Sequence, residues 1–210
     1  MKICLLGSRG KYFKSTIEYL NHSCVLAGHY DDIPEMPELP DCVILTGCFD
    51  IIPEKHLKNF APRGWYMFHE SDLPKGRGHA PLQWTLIKRI QVATVSFLRV
   101  EEKFDTGNII GKAYLRISES DTITELRMKS IKAENNLLVK YVPDIETGLL
   151  RTTLQIGEGS YYPRRNPEDS ELDVNKTIAE QWNLLRACEN EDYPAFFNLH
   201  GRRYTAKIGD

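Results

Sequence analysis

Residues Cys42 to Thr46 form an unbroken apolar run, and a strand built from such a run has to be covered on both faces. Pro34, Pro37 and Pro40 punctuate a loop before it. Two more apolar runs precede that loop. Lys2 to Leu6 ends in the turn Gly7-Ser8-Arg9-Gly10, and Val25 to Tyr30 follows Tyr12 to Leu20, where apolar residues recur at helical spacing. Gly64 to Phe68 and Thr94 to Val100 continue the series of strands, separated by a loop and a helix carrying Leu82, Trp84 and Ile87. This alternation predicts an α/β fold: an open, mostly parallel twisted sheet of five or more strands with helices on both faces.

Downstream, Asp121 is the expected N-cap of a helix whose apolar side carries Leu126, Ile131, Leu137 and Leu138. From Gly157 the chain turns polar, aromatic and turn-rich, so residues 1–156 read as one domain and 157–210 as a C-terminal extension packed on it. The extension should hold one helix, from Asn175 to Cys188, with Ile178, Trp182 and Leu185 packing on one face.

At 210 residues, with 41% hydrophobic and 27% charged residues, the chain sits in the globular range. A formal charge of -2 provides no global field for a phosphate backbone, which speaks against a nucleic-acid partner. The five cysteines are widely spaced and mostly embedded in apolar runs; they read as buried thiols in a reducing compartment, with no metal site. No stretch has the pattern of a signal peptide or a membrane span, so the expected location is the cytoplasm.

The densest group of chemical side chains is Phe68 to Pro81, which holds two histidines, two glycines, two prolines and several ionisable groups directly after an expected strand. Open α/β sheets place their ligand crevice at the carboxyl ends of strands, where His69 would stand with a side chain suited to acid–base work near neutrality. A second group, Glu101 to Ile110, again follows a strand and places Asp105 at the same edge. By itself Asp105 reads equally as a turn residue bonding local amides.

Taken together the two groups resemble the folate-dependent formyltransferase family. The resemblance rests on His69-Glu70-Ser71-Asp72-Leu73-Pro74, then Arg77-Gly78 and Ala80-Pro81, and downstream Asp105-Thr106-Gly107-Asn108-Ile109-Ile110, in the family's order. It extends back to Val43 through Pro53 and forward to Arg164 through Asp169, Asp173 through Ala187 and Tyr193 through Phe197, the last three being similar to the tail of sugar-nucleotide formyltransferases.

The resemblance implies a Rossmann-like catalytic core and transfer of a formyl group from N10-formyltetrahydrofolate to an amine. The amine would attack the formyl carbon to give an oxyanion and an ammonium. His69 would hold the oxyanion or relay a proton, and Asp105 would set its protonation and help draw the proton from the amine. Asp50, Ile51 and Ile52 are the implied folate contacts. Lys75, Arg77 and Arg164 are the basic residues expected to grip acceptor phosphates, with Arg165 beside them, and Tyr161 and Tyr162 either stack on a nucleobase or close a core edge.

The implied acceptor is a nucleotide-linked amino sugar, with another small amine or methionyl-tRNA as alternatives, and the assembly is open, a homodimer included. One position departs from the family. Its asparagine two residues before the histidine falls on Met67, which cannot donate a hydrogen bond. Asn108 or a backbone N–H after His69 is the candidate replacement, and a folate- or nucleotide-binding module without catalysis is the alternative that Met67 motivates. Glu70 and Asp72 add negative charge and would contact an ammonium group or water.

Overall fold

The computed structural model describes residues 1–48 and 50–209. Phe49, inside the Val43 to Pro53 segment, lies outside the described residues. The strands are β1 (Lys2–Leu6), β2 (Ser23–Ala27), β3 (Cys42–Leu45), β4 (Trp65–His69), β5 (Arg77–Gly78), β6 (Val92–Arg99), β7 (Ile109–Arg116), β8 (Tyr161–Tyr162), β9 (Ala195–Leu199) and β10 (Arg202–Ala206). The α-helices are α1 (Lys14–Tyr19), α2 (Glu54–Asn59), α3 (Pro81–Ile87), α4 (Ile123–Thr147) and α5 (Ile178–Leu185). No helix of the described residues is long and apolar enough to cross a membrane.

Six strands form the central sheet in the order β2-β1-β3-β4-β6-β7. Pairs β1–β2, β1–β3 and β3–β4 are parallel, whereas β4–β6 and β6–β7 are antiparallel, so β6 alone runs against the other five. The sheet is mostly parallel, as expected, with β6 its one reversed strand. Six-residue helices α1 and α2 carry the parallel crossovers β1–β2 and β3–β4, so the length of the seven-residue α3 does not by itself reverse β6.

The sheet is buried on both faces, as the apolar runs require. On one side Ile3, Leu5, Ile44, Tyr66, Phe68, Val95 and Phe97 pack with Phe13 and Ile17 of the α1 region and Leu137, Leu138 and Val142 of α4. On the other, Cys4, Leu6, Val43, Leu45 and Trp65 pack against Ile33, Ile52, Ala61 and the α2 side chain Leu57. Cys4, Cys42 and Cys188 are buried and all five cysteines are free; burial pushes the Cys4 and Cys42 thiols up to about 12.

Three local expectations are corrected. The N-cap of α4 is Thr122, not Asp121, because Glu125 completes a reciprocal capping box with Thr122. Asp121 is instead buried, accepting from the Ser118 N–H at 2.7 Å and from Lys129. The C-terminal helix is shorter than Asn175 to Cys188, starting after a second capping box at Thr177. Within it Trp182 and Leu185 pack inward, but Ile178 is exposed. β7 and the β9–β10 hairpin were not foreseen; the hairpin turns on His200 and Gly201, both at positive φ, the conformation that two-residue hairpin loops need.

Candidate active site

His69 closes β4 on the same face as Trp65 and Met67, since strand side chains alternate. It is 5% exposed. Its Nε2 lies 2.8 Å from the Gly76 carbonyl oxygen, and its Nδ1 lies 3.4 Å from Asp105 Oδ1. Both partners are acceptors. A neutral imidazole carries one N–H and can serve only one of them, whereas the doubly protonated ring serves both.

Asp105 is equally buried, and its Oδ2 accepts from the Gly78 N–H at 2.9 Å. Its backbone is left-handed at φ 54, which Asp tolerates better than most residues. Two residues on, a Cβ at Gly107 would sit 1.9 Å from the Arg99 carbonyl oxygen, so only glycine fits there. The Asp-x-Gly turn therefore has a physical reason.

The route by which Asp105 reaches His69 differs from the expected one. Because β6 is reversed, its carboxyl end at Arg99 lies beside Tyr66, at the start of β4 and away from His69. Residues 100–108 fold back toward the crevice. Gln155 Nε2 pins that fold, donating to the carbonyls of Asp105 at 2.7 Å and Gly107 at 2.9 Å.

Beside the pair lies a cleft. One wall carries Asp50, Ile51 and Ile52 with Leu45 and Cys48; the other carries Arg99 through Asp105, and Met67 lines it from β4. The lining is dominated by apolar groups, which suits a flat heteroaromatic ring. Its enclosed part is about 30 Å³, room for one or two waters. The outer wall faces solvent: Glu101, Glu102, Lys103 and Phe104 are all exposed.

The asparagine question also resolves into positions. Met67 faces the cleft where a donor was sought. Asn108 points elsewhere, its amide 3.5 Å from Thr152 Oγ1. After His69, the N–H groups of Ser71, Lys75, Gly76, Arg77, Gly78 and His79 are all donated within the fold.

Beneath His69 is an ion network absent from the sequence reading. Glu70, expected to face substrate or water, is instead paired with Arg9 at 2.8 Å. Arg9 also lies 3.5 Å from Glu134 of α4, which has no exposed surface and accepts from Ser130 Oγ at 3.1 Å. Burial pushes the Glu134 carboxyl up to about 7, helped by the negative charge of Glu70. Burial acts the same way on Glu70, but Arg9 and then His69 outweigh it and hold that carboxyl low. One Arg thus balances one ionised carboxylate and one carboxyl poised near neutrality. Its sequence signal was Glu134 itself, a lone acid on the apolar stripe of α4 beside Ile131 and Leu138.

The basic residues diverge. Lys75 and Arg164 are exposed. Arg77 donates to Gln155 Oε1 at 2.7 Å, and its Nε is buried without a partner. Arg165 is spent on the Asp169 carbonyl and Ser170. Asp72 is exposed and ion-paired with Lys112, which also bonds the Leu73 carbonyl. Tyr162 is buried, stacked on Trp84, while Tyr161 is exposed and meets His79 edge-on.

The formyl transferase family model matches residues 35–142, more than half of the chain, and spans β3, His69, Asp105 and most of α4. The chain belongs to the formyl transferase family. Solved structures agree on the fold. A methionyl-tRNA formyltransferase from Clostridium thermocellum superposes with a TM-score of 0.82 at 23% identity, over 99% of this chain and 92% of that one. A sugar N-formyltransferase from a Shewanella species gives 0.77 at 16% identity, over 99% and 97%. HypX from Aquifex aeolicus, solved with tetrahydrofolic acid, gives 0.86 at 18% identity; this chain spans 37% of that longer protein.

Proposed function

We propose that the chain transfers a formyl group from N10-formyltetrahydrofolate to the amino group of a nucleotide-linked amino sugar. The observation that carries this reading is the buried His69–Asp105 pair at 3.4 Å, beside a cleft walled by Asp50, Ile51 and Ile52. The folate, when bound, supplies an activated acyl carbon. His69 is the candidate to present an N–H to the oxygen that gains charge on that carbon; its Nε2, 2.8 Å from the Gly76 carbonyl, would turn from that acceptor to do so, and Met67 cannot donate in its place. Asp105, held by Gly78 and facing Nδ1, orients the imidazole and takes up the proton that the amine loses. Asp50 through Ile52 would flank the donor's ring. Exposed Lys75 and Arg164 are free to meet acceptor phosphates, and Arg77 reaches the same loop from within.

Met67 favours a second reading, a folate-binding module without turnover, because a thioether stands at the cleft where a donor is needed. One experiment separates them. The purified protein is incubated with N10-formyltetrahydrofolate and a panel of UDP-, dTDP- and GDP-linked amino sugars, methionyl-tRNA and simple amines, with products read by mass spectrometry. Formylation of an amino-sugar nucleotide is expected. Folate binding with no product on any amine would establish the binding module, and formylation of methionyl-tRNA alone would overturn the sugar assignment.

A further inference from the structure

The catalytic pair is supplied by the end of β4 with the loop after it, residues 70–80, and by the loop 100–108, and something must hold the two loops in register. The segment from Thr153 to Tyr162 touches both. On the Asp105 side, Thr153 exchanges two backbone hydrogen bonds with Ile109 at 2.8 Å each, and the Gln155 amide donates to Asp105 and Gly107. On the His69 side, Ser160 Oγ accepts from the N–H of Gly76, the residue whose carbonyl holds His69 Nε2. Ser160 also bonds Pro74 and Arg77 through its backbone, and Tyr161–Tyr162 pairs with Arg77–Gly78 as a short parallel ladder.

Gln155 joins the two sides through one side chain. Its Nε2 saturates the Asp105 turn while its Oε1 accepts Arg77 Nη2 from the other loop at 2.7 Å. No other primary amide in such a position was suggested by the motif segments, because Gln155 lies outside them. We infer that Gln155 is a positioning residue: bridged to Arg77, it fixes the left-handed turn that aims the Asp105 carboxylate at His69, and the 153–162 segment is the clasp that makes two loops into one site. This rests on the reading of His69 and Asp105 as the reacting pair.

The consequence is that Gln155 acts only through Asp105. Displacing a catalytic group by about 1 Å costs on the order of 100-fold in rate. Gln155→Leu, close in volume but unable to donate, should therefore lower kcat about 100-fold, while KM for the amine changes little. In an Asp105→Asn background the same substitution should change kcat only slightly, since the group it positions is already disabled. Arg77→Met should follow Gln155→Leu with a smaller loss.

A second measurement does not depend on turnover. The Gly78 N–H donates to Asp105 Oδ2, so its protection from hydrogen exchange reports the aim of that carboxylate. Gln155→Leu and Asp105→Ala, which removes the acceptor, should each strip that protection while the central strands β1 and β3 stay protected. Gly78 protection kept in Gln155→Leu, or equal rate losses in the wild-type and Asp105→Asn backgrounds, would overturn the positioning role. If Gln155→Leu fails to fold, Gln155→Asn, which keeps the amide on a shorter arm, gives the same two readouts. Were the wild-type protein to formylate no amine while Gly78 responded as expected, the clasp would stand and the proposed reaction would fall.

Discussion

The buried reacting pair and the exposed cleft wall that leads to it are built on opposite plans. The His69–Asp105 pair is buried, with its loops cross-linked by Gly78, Gln155, Ser160 and the β5–β8 ladder. The wall facing Asp50 through Ile52 is formed up to Asp105 by residues 101–104, all exposed, around a cleft of about 30 Å³. On the proposed function the two parts have separate tasks: chemistry needs reacting groups fixed to a fraction of an ångström, whereas contact with a donor at the solvent edge does not.

Substitutions should break that comparison unevenly. The largest effect belongs to the buried pair: His69→Asn should lower kcat by roughly 100- to 1000-fold, a loss of about 3–4 kcal/mol of barrier stabilisation, measured by single-turnover formyl transfer. A loss below tenfold would mean that another group meets the oxyanion. Away from the pair and the wall, Trp182→Ala removes packing against Leu172 and Leu185 and the indole bond to the Glu119 carbonyl. It should cost about 2–3 kcal/mol in denaturant unfolding and leave kcat intact.

The floor beneath His69 gives a pH-dependent effect. The Glu134 carboxyl is raised from 4.5 to about 7 in the folded protein, so the native state binds its proton more tightly than the unfolded chain does. Its contribution is fully favourable below about pH 4.5 and is lost as pH rises to about 7; above that it is a constant penalty. Glu134→Gln, which mimics the protonated form, should therefore stabilise the protein at pH 8 by roughly 1–3 kcal/mol and change little at pH 4.5. Equal effects at both values would contradict the buried, shifted carboxyl. The smallest effect belongs to the exposed wall: Phe104→Ala should raise KM for the folate a few-fold, under about 1 kcal/mol, with kcat nearly unchanged.

The sequence carried the sheet's apolar strands and the two histidine- and aspartate-bearing segments because those signals are local. Cys42 to Leu45 can hardly be anything but a buried strand, and Asp105-Thr106-Gly107 has the glycine that its turn demands. The direction of β6 was not readable, since an apolar strand's own residues read the same beside a parallel or an antiparallel neighbour. Arg9, Glu70, Glu134 and Gln155 escaped for a related reason. Their distant partners lie 48, 50, 61 and 78 residues away among the bonds of Gln155 and Arg9, and an ionisable or amide side chain has no spacing rule that announces a distant contact. Glu134 alone left a trace, as a charge on an apolar stripe.

The most direct measurement is kcat/KM for formyl transfer by Asp105→Asn against wild type, with thermal melts of both proteins. The buried pair at 3.4 Å predicts a fall of about 100-fold or more at a nearly unchanged melting temperature. A rate within threefold of wild type would show that Asp105 only shapes its turn and that the reacting centre lies elsewhere.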